Sequence, residues 1–216
     1  MKPSTNSLLI ASLLAGILGA EVVKAEVLPA AAIAFDTYSQ GSNPQVGYTI
    51  GWDFTTTRPI YVTALGYYDY AADGFGASHD VGIFNLSGSL LVSATVAAGT
   101  AETNVVGTTP YGAFRYHDLS ANYLLLPGTY RIGGVGADND PAQNSPVNLT
   151  TAAGITLGDS YYAFGAGSLT YPNLFASGPS EPFSGPNLLF IPEPSVVALL
   201  GLTGMMLVRR RVTRNG

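Results

Sequence analysis

Short runs of alternating hydrophobic and polar residues fill the chain between residues 47 and 166. Alternation over about four to eight residues is typical of a β-strand that buries one of its faces. The longest run, IYVTALGYYDY at residues 60–70, adds the β-branched and aromatic residues that pleated sheets favour. The pattern predicts strands over residues 47–54, 60–70, 80–85, 89–96, 111–119, 128–136, 148–157 and 160–166.

Turn-forming residues separate these runs. Leu86-Ser87-Gly88 lies between two of them and predicts a hairpin over residues 80–96. Gly, Asp, Asn and Thr are frequent in three further segments, and we expect loops at residues 71–78, 97–110 and 137–145. Residues 172–186 contain several prolines and are predicted to form an irregular spacer.

The spacing of the strands indicates the fold class. Several short strands follow one another with turns between them, and no segment of the body has the period of about 3.6 residues that marks an amphipathic helix. The body is therefore predicted to be all-β. An antiparallel β-sandwich of the jelly-roll or immunoglobulin-like type is the first choice, and a β-barrel is the alternative.

Residues 1–25 have the pattern of a secretory signal peptide. Lys2 precedes an apolar stretch at residues 8–20, and small residues follow. We expect a signal helix that is cleaved after Ala25 or after Ala20; the alternative is an uncleaved membrane anchor. Either outcome exports the rest of the chain.

The C-terminus carries a second apolar segment. Residues 196–208 are almost wholly apolar, with Pro192, Glu193 and Pro194 before them and Arg209, Arg210 and Arg211 after them. The 14 residues from Ser195 to Val208 would form a helix of about 21 Å, which is short for a bilayer core of about 30 Å. A short hydrophobic helix of this kind suits either a transient stop for a processing enzyme or a plain membrane anchor. The arginines are expected to stay cytoplasmic, which leaves the body outside the cytoplasm.

Pro-Glu-Pro, the apolar run and the arginine cluster, in that order, resemble the PEP-CTERM sorting signal of bacterial surface and exopolysaccharide-associated proteins. The resemblance implies recognition by an exosortase, a membrane cysteine transpeptidase, with the tail as its substrate. Segments of the body between Gly51 and Arg131 also resemble the bodies of such proteins, which implies that Phe54, Leu65 and Tyr130 are core positions. The expected organisation is a signal peptide at residues 1–25, a body at 26–186 and a sorting tail at 187–216.

The charge of the body argues against binding to nucleic acid. Between residues 26 and 191 the basic residues are Arg58, Arg115 and Arg131, against twelve carboxylates, so the formal net charge of that segment is −9. A chain that binds phosphates needs a basic patch, which this composition does not supply. The chain has no cysteine, which excludes disulfides, thiolate metal sites and cysteine nucleophiles.

Two loops carry oxygen ligands that suit calcium. Asp69, Asp73 and Asp80 surround the first, and Asp138 and Asp140 lie in the second. Neither has the spacing of an EF-hand, and Asp-Gly also marks ordinary turns, so a calcium site and a plain turn both stay open. No other cofactor is expected.

Catalytic residues are not evident in the sequence. The histidines are His79 and His117, and each has an Asp beside it, but neighbouring residues on a strand point to opposite faces. We expect both histidines to be on the surface and find no G-x-S-x-G nucleophile motif. The sequence therefore favours a non-enzymatic structural or adhesive protein over a secreted hydrolase that uses an acid pair.

Tyrosines are frequent among the predicted strands. Exposed tyrosine rings could stack on sugars of an exopolysaccharide, which makes a carbohydrate-binding module a further alternative, and tyrosine is also an ordinary strand residue. The nine tyrosines considered are Tyr61, Tyr67, Tyr68, Tyr70, Tyr111, Tyr116, Tyr161, Tyr162 and Tyr171.

Overall fold

The computed structural model describes residues 28–38, 46–137 and 146–193. Within these ranges the chain is all-β, and all strand pairings are antiparallel. The strands are β1 Ala30–Ala31, β2 Ile33–Ala34, β3 Thr37–Tyr38, β4 Tyr48–Thr56, β5 Ile60–Tyr70, β6 His79–Asn85, β7 Leu90–Val96, β8 Asn104–Thr109, β9 Gly112–Leu125, β10 Gly128–Val135, β11 Pro146–Val147, β12 Thr150–Thr151, β13 Ile155–Phe164, β14 Leu174–Ser177 and β15 Pro186–Pro192.

Two sheets contain most of these strands. The first has five strands in the order β1-β15-β5-β9-β8, and the second has six in the order β14-β13-β4-β10-β6-β7. The short pairs β3–β11 and β2–β12 link the N-terminal segment to residues 146–151. The chain crosses between the two sheets several times. It passes from β4 of the second sheet to β5 of the first, and from β9 of the first to β10 of the second, and both crossings lie at the same end of the molecule.

One hydrophobic core is shared by the two large sheets. Ile50, Trp52 and Phe54 alternate along β4 and are fully buried, as period-two patterning requires. The indole Nε1 of Trp52 donates to the carbonyl of Pro186 at 3.0 Å and so joins the second sheet to the first. Trp52 is thus both a large core residue and a polar link between the sheets.

Several strand predictions are confirmed. The strand predicted at residues 60–70 is β5, and the predicted hairpin is β6–β7, with Gly88 at φ +90 in its turn. Residues 155–164 form one strand where two were predicted, because a bulge between Leu157 and Ser160 lets β13 continue.

Three predictions of irregular structure or strand ends are wrong. The predicted loop at 97–110 contains β8, and the predicted spacer at 172–186 contains β14. β9 runs for 14 residues, past the predicted end at residue 119. The register of β5 and β9 shifts between Val62 and Ala64, and this irregularity accommodates the polar residues in the middle of β9. The alternation of apolar and polar residues in the sequence does not reveal such a shift.

β15 crosses the predicted boundary between body and tail at residue 186. It lies inside the first sheet between β1 and β5, and Leu188, Leu189 and Phe190 are buried. The pairing continues for one more residue, since the amide of Glu193 donates to the carbonyl of Pro59 at 3.1 Å. The folded body therefore extends at least to Pro192, and these apolar residues belong to its core.

The N-terminal segment covers the outer face of the first sheet. Asn187 anchors it, because its Nδ2 donates to the carbonyl of Ile33 at 2.8 Å and its Oδ1 accepts from the amide of Ile33 at 3.3 Å. Phe35 then packs on Tyr68 and Phe114, at ring centroid distances of 5.0 and 5.4 Å. The outer face of the five-stranded sheet is thereby buried as well.

The core positions implied by the family resemblance are partly correct. Phe54 and Leu65 are fully buried, whereas Tyr130 is half-buried and its hydroxyl donates to the carbonyl of Leu126 at 2.9 Å. Its polar end reaches the surface, which explains the difference. The predicted signal helix and hydrophobic tail helix lie outside the described residues. Within residues 28–38, 46–137 and 146–193, no helix is long and apolar enough to span a membrane.

Replacing Leu188 with Ala tests whether β15 belongs to the core. We expect Leu188→Ala to lower the free energy of unfolding by about 2–5 kcal/mol, because it leaves a cavity at a fully buried position. Urea unfolding of Leu174→Ala, whose leucine is half exposed on β14, is the matched control and should change by about 0.5 kcal/mol or less. A loss as small as that of the control at Leu188 would remove β15 from the core.

Candidate functional site

Asp69 is the most enclosed of the predicted calcium ligands. β5 carries it into the interior, where its Oδ2 accepts from Arg115 Nε of β9 at 2.6 Å. Its carboxylate also accepts from the amide of Gly74 at 3.1 Å. Arg115 in turn donates to the carbonyls of Glu102 and Ala72 at 3.3 and 3.4 Å. The carboxylate is therefore committed to an ion pair that fixes the neighbouring loops.

The loop at residues 71–78 is held in an uncommon backbone conformation. Ala71 and Ala72 have φ values of 66 and 55, in the left-handed region, which costs about 1–2 kcal/mol for a residue with a Cβ. The amide of Ala71 donates to the carbonyl of Tyr111 at 2.8 Å, and the Asp69–Arg115 pair closes the loop from inside. These contacts compensate the strain and define the loop as a fixed turn.

The three aspartates near this loop do not share a site. Asp73 is exposed, and the Oδ1 of Asp80 accepts from Thr95 Oγ1 at 2.6 Å across the β6–β7 hairpin. In the part of the chain that the structure describes, no three His, Cys, Asp or Glu side chains converge as metal ligands would. Asp138 and Asp140 lie outside the described residues, so calcium binding at the second loop stays a prediction.

His79 is buried, and the prediction of a surface position is wrong for this residue. Its ring stacks on Tyr67 at a centroid distance of 4.0 Å, and its Nδ1 lies 2.8 Å from the carbonyl oxygen of Val135. The dipeptide His79-Asp80 opens β6 with the histidine turned inward, so the strand period decides which of the two is buried. His117 is exposed as predicted, with Nδ1 2.9 Å from Glu102 Oε1.

Arg131 forms a second ion pair that the sequence analysis did not predict. Its Nε and Nη2 donate to the two carboxylate oxygens of Asp53 at 2.6 and 2.9 Å, and Nη1 donates to the carbonyl of Pro172 at 2.6 Å. The guanidinium carbon lies 3.3 Å from the ring centroid of Tyr161 and 5.0 Å from that of Tyr171. This arrangement fixes residues near Pro172 against the outer face of the six-stranded sheet.

The Asp53 contact stabilises the charged form of Arg131. Burial lowers the pKa of the guanidinium, and the hydrogen bonds and negative charge of Asp53 outweigh burial, so the pKa lies above its usual value. Burial also raises the pKa of the Tyr171 hydroxyl.

A sequence signal for both ion pairs existed: Arg115 and Arg131 lie within largely apolar strands, where a charge needs a partner.

Burial divides the nine tyrosines considered above. Tyr67, Tyr68 and Tyr116 are buried, and burial raises the pKa of Tyr116 well above its ordinary value. Tyr70 and Tyr111 are exposed by 42% and 50%. Tyr70 ends β5 opposite Gly112, and Tyr111 directly precedes Gly112, so both lie at the same end of the body. The half-buried tyrosines are Tyr61, Tyr161, Tyr162 and Tyr171.

The predicted sorting motif begins where the last strand ends. Pro192 is the final residue of β15, opposite Ile60 of β5. Glu193 is half-buried and follows directly. Pro194, Arg209, Arg210 and Arg211 lie outside the described residues. The start of the motif is therefore joined to the folded body with no intervening spacer.

Comparison with protein-family models and with curated proteins found no match for this chain.

Replacing Asp69 with Asn separates an ion pair from a calcium ligand. Asp69→Asn leaves Arg115 buried without its counter-charge, so we expect a loss of about 3–5 kcal/mol in the free energy of unfolding, with or without calcium. Asp73→Asn, at the exposed carboxylate of the same loop, is the control and should change by about 0.5 kcal/mol or less. A melting temperature that rises with calcium in the parent protein, and fails to rise in Asp69→Asn, would show that Asp69 binds the ion.

Proposed function

We propose that this chain is a non-enzymatic exported protein whose C-terminal PEP-CTERM-like tail is read by an exosortase-type membrane enzyme. Its body is a β-sandwich, and its role is structural or adhesive at the cell surface or in an exopolysaccharide matrix. The signal peptide at residues 1–25 directs export, and the apolar segment at residues 196–208 holds the protein at the membrane until processing. Calcium and polysaccharide are candidate ligands of the body.

The position of β15 carries this proposal. The strand lies inside its sheet, between β1 and β5, and ends at Pro192, so the chain is extended where the Pro-Glu-Pro motif begins. Proline at residues 192 and 194 keeps the residue before each in extended backbone, which is the form that peptidases bind. Bonds before Pro192 lie in a paired and buried strand, so a processing enzyme that meets the folded body is directed to the residues that follow.

The ion pairs of the body support a role without catalysis. Asp53 forms an ion pair with Arg131 and Asp69 forms one with Arg115, while Glu102 Oε1 lies within hydrogen-bond distance of His117 Nδ1. Asp118 accepts from Asn104 Nδ2 at 2.8 Å and Asp80 accepts from Thr95. A glycoside hydrolase instead needs two carboxyl groups that face each other across a cleft at about 5–10 Å. Each of these carboxylates has a structural partner of its own.

A sugar contact fits best at the end of the body that carries Tyr70 and Tyr111. Both rings are exposed there, and the fixed loop at residues 71–78 adds the exposed carboxylate of Asp73. Rigid aromatic side chains present apolar faces at a low entropic cost, which suits weak binding to a polysaccharide.

Intact mass of the protein from each cell fraction of its native host tests the sorting proposal. We expect a C-terminus close to Pro192–Pro194, because the folded body shields the bonds before it. Pro194→Ala should reduce processing, and Pro179→Ala, at an exposed turn proline, should leave it unchanged. A mass that retains Arg209, Arg210 and Arg211 in every fraction would make the tail a plain anchor and overturn the proposal.

Removing the two exposed rings tests the sugar contact. We expect the variant Tyr70→Ala with Tyr111→Ala to lose several-fold in retention on immobilised exopolysaccharide from the native host. Phe175→Ala removes an equally exposed ring at the β14 edge and is the control. Equal retention of the parent and both variants would rule out a sugar site at these tyrosines.

A further inference from the structure

Both ends of the described body leave it at the same place. β15 ends at Pro192, and β1 pairs with it in antiparallel register, with Ala30 opposite Phe190. Leu28, two residues before Ala30, therefore lies level with Pro192. We call this the exit end of the body; it is marked by Thr56, Ile60, Leu125 and Gly128, where strands of both sheets turn.

Exposed leucines are concentrated at the exit end. Leu124 and Leu126 lie at and beyond the end of β9, and Leu28 lies next to Pro192. Leu86 occupies the β6–β7 turn, whose neighbour Asn85 pairs with Tyr130 near the start of β10. The exposed fractions of Leu28, Leu86, Leu124 and Leu126 are 76%, 50%, 41% and 60%. Four large apolar side chains are thus exposed to water at one end of the body, which is uncommon unless that end makes a contact.

Acidic residues are concentrated at the end of the body opposite to the exposed leucines. The loop at the far end of β5 carries Asp69 and Asp73, about 30 Å from Ile60 at about 3.3 Å per residue. At the exit end Arg58 is exposed, and Glu193 is the one acidic residue, among those described, within two residues of the strand ends. The end that carries the leucines is therefore nearly free of the negative charge that dominates the body.

We propose that the exit end docks on the interfacial layer of the lipid bilayer through Leu28, Leu86, Leu124 and Leu126. This inference rests on the proposed function, because the tail at residues 196–208 brings the body to the membrane. Only Glu193 and Pro194 lie between Pro192 and Ser195, and two extended residues span about 7 Å. A tail in the membrane thus holds the exit end at the surface, where its leucines enter the headgroup layer.

Contact between the leucines and the membrane also strengthens the attachment that the short apolar segment at residues 196–208 provides. One marginal apolar anchor binds a membrane reversibly, and a second contact makes the attachment stable. Docking of the leucines supplies that second contact, and it fixes the orientation of the body. The tyrosines Tyr70 and Tyr111 then face away from the membrane, toward the surrounding matrix.

A single-cysteine probe tests this docking directly, since the chain has no cysteine of its own. Leu126→Cys and the control Leu174→Cys are labelled with an environment-sensitive fluorophore in protein purified from host membranes and reconstituted in phosphatidylcholine vesicles. Leu174 is similarly apolar and half exposed, but it pairs with Tyr162, opposite Ile50, about 20 Å from the exit end. Lipids that carry a nitroxide on the acyl chain then report contact with the bilayer.

We expect the nitroxide lipids to quench the probe at residue 126 several-fold more than the probe at residue 174. Equal and weak quenching at both positions in protein that floats with the vesicles would overturn docking and leave the sorting proposal intact. Protein that fails to float with the vesicles would overturn the membrane attachment itself. Docking would also be overturned if the probe at residue 126 becomes shielded from water as protein concentration rises but is not quenched by the nitroxide lipids. That result would assign the leucines to a contact between two copies of the chain.

Discussion

The insertion of β15 between β1 and β5 is the constraint on which the rest of the structure depends. Its backbone pairs with β5 over its whole length and with β1 at Leu189 and Phe190, and residues 186–190 are buried. Through Asn187 it holds the N-terminal segment, and through the carbonyl of Pro186 it holds Trp52 of the other sheet. The last of the described strands thus completes the fold, so the body and the start of the predicted sorting motif form one physical unit.

This unit has two unlike ends. One end has the chain exits and exposed leucines, and the other has the fixed loop, the aspartates and two exposed tyrosines. The ion pair Asp69–Arg115 lies at the end opposite the exit end, whereas Asp53–Arg131 lies three residues from Thr56 and Gly128, nearer to the exit end. Each pair fixes the segments around it. Proteins at a membrane surface need one face for the lipid and another for their surroundings, and this distribution of apolar and charged residues suits such an arrangement.

Local patterning made part of the fold predictable. Alternation identified β5 and the β6–β7 hairpin, because each buries one face and ends at turn residues. Pattern failed at β15, where continuous burial of Leu188, Leu189 and Phe190 resembles the start of an apolar tail. It failed again at His79, Asp53 and Asp69, because their partners come from strands far away in sequence. The sorting motif could be predicted because the residues that suggest it are adjacent in sequence, whereas a site built from several strands requires the tertiary structure.

Hydrogen exchange followed by mass spectrometry on the full chain tests the central position of β15 most directly. The amides of a strand that lies inside a buried sheet exchange only after large-scale unfolding. Because β15 lies between β1 and β5, we predict that peptides covering residues 186–192 exchange as slowly as those covering β5. Peptides covering the half-exposed edge strand β14 should exchange faster. Exchange of residues 186–192 at the rate of an unstructured peptide, while β5 stays protected, would contradict the account.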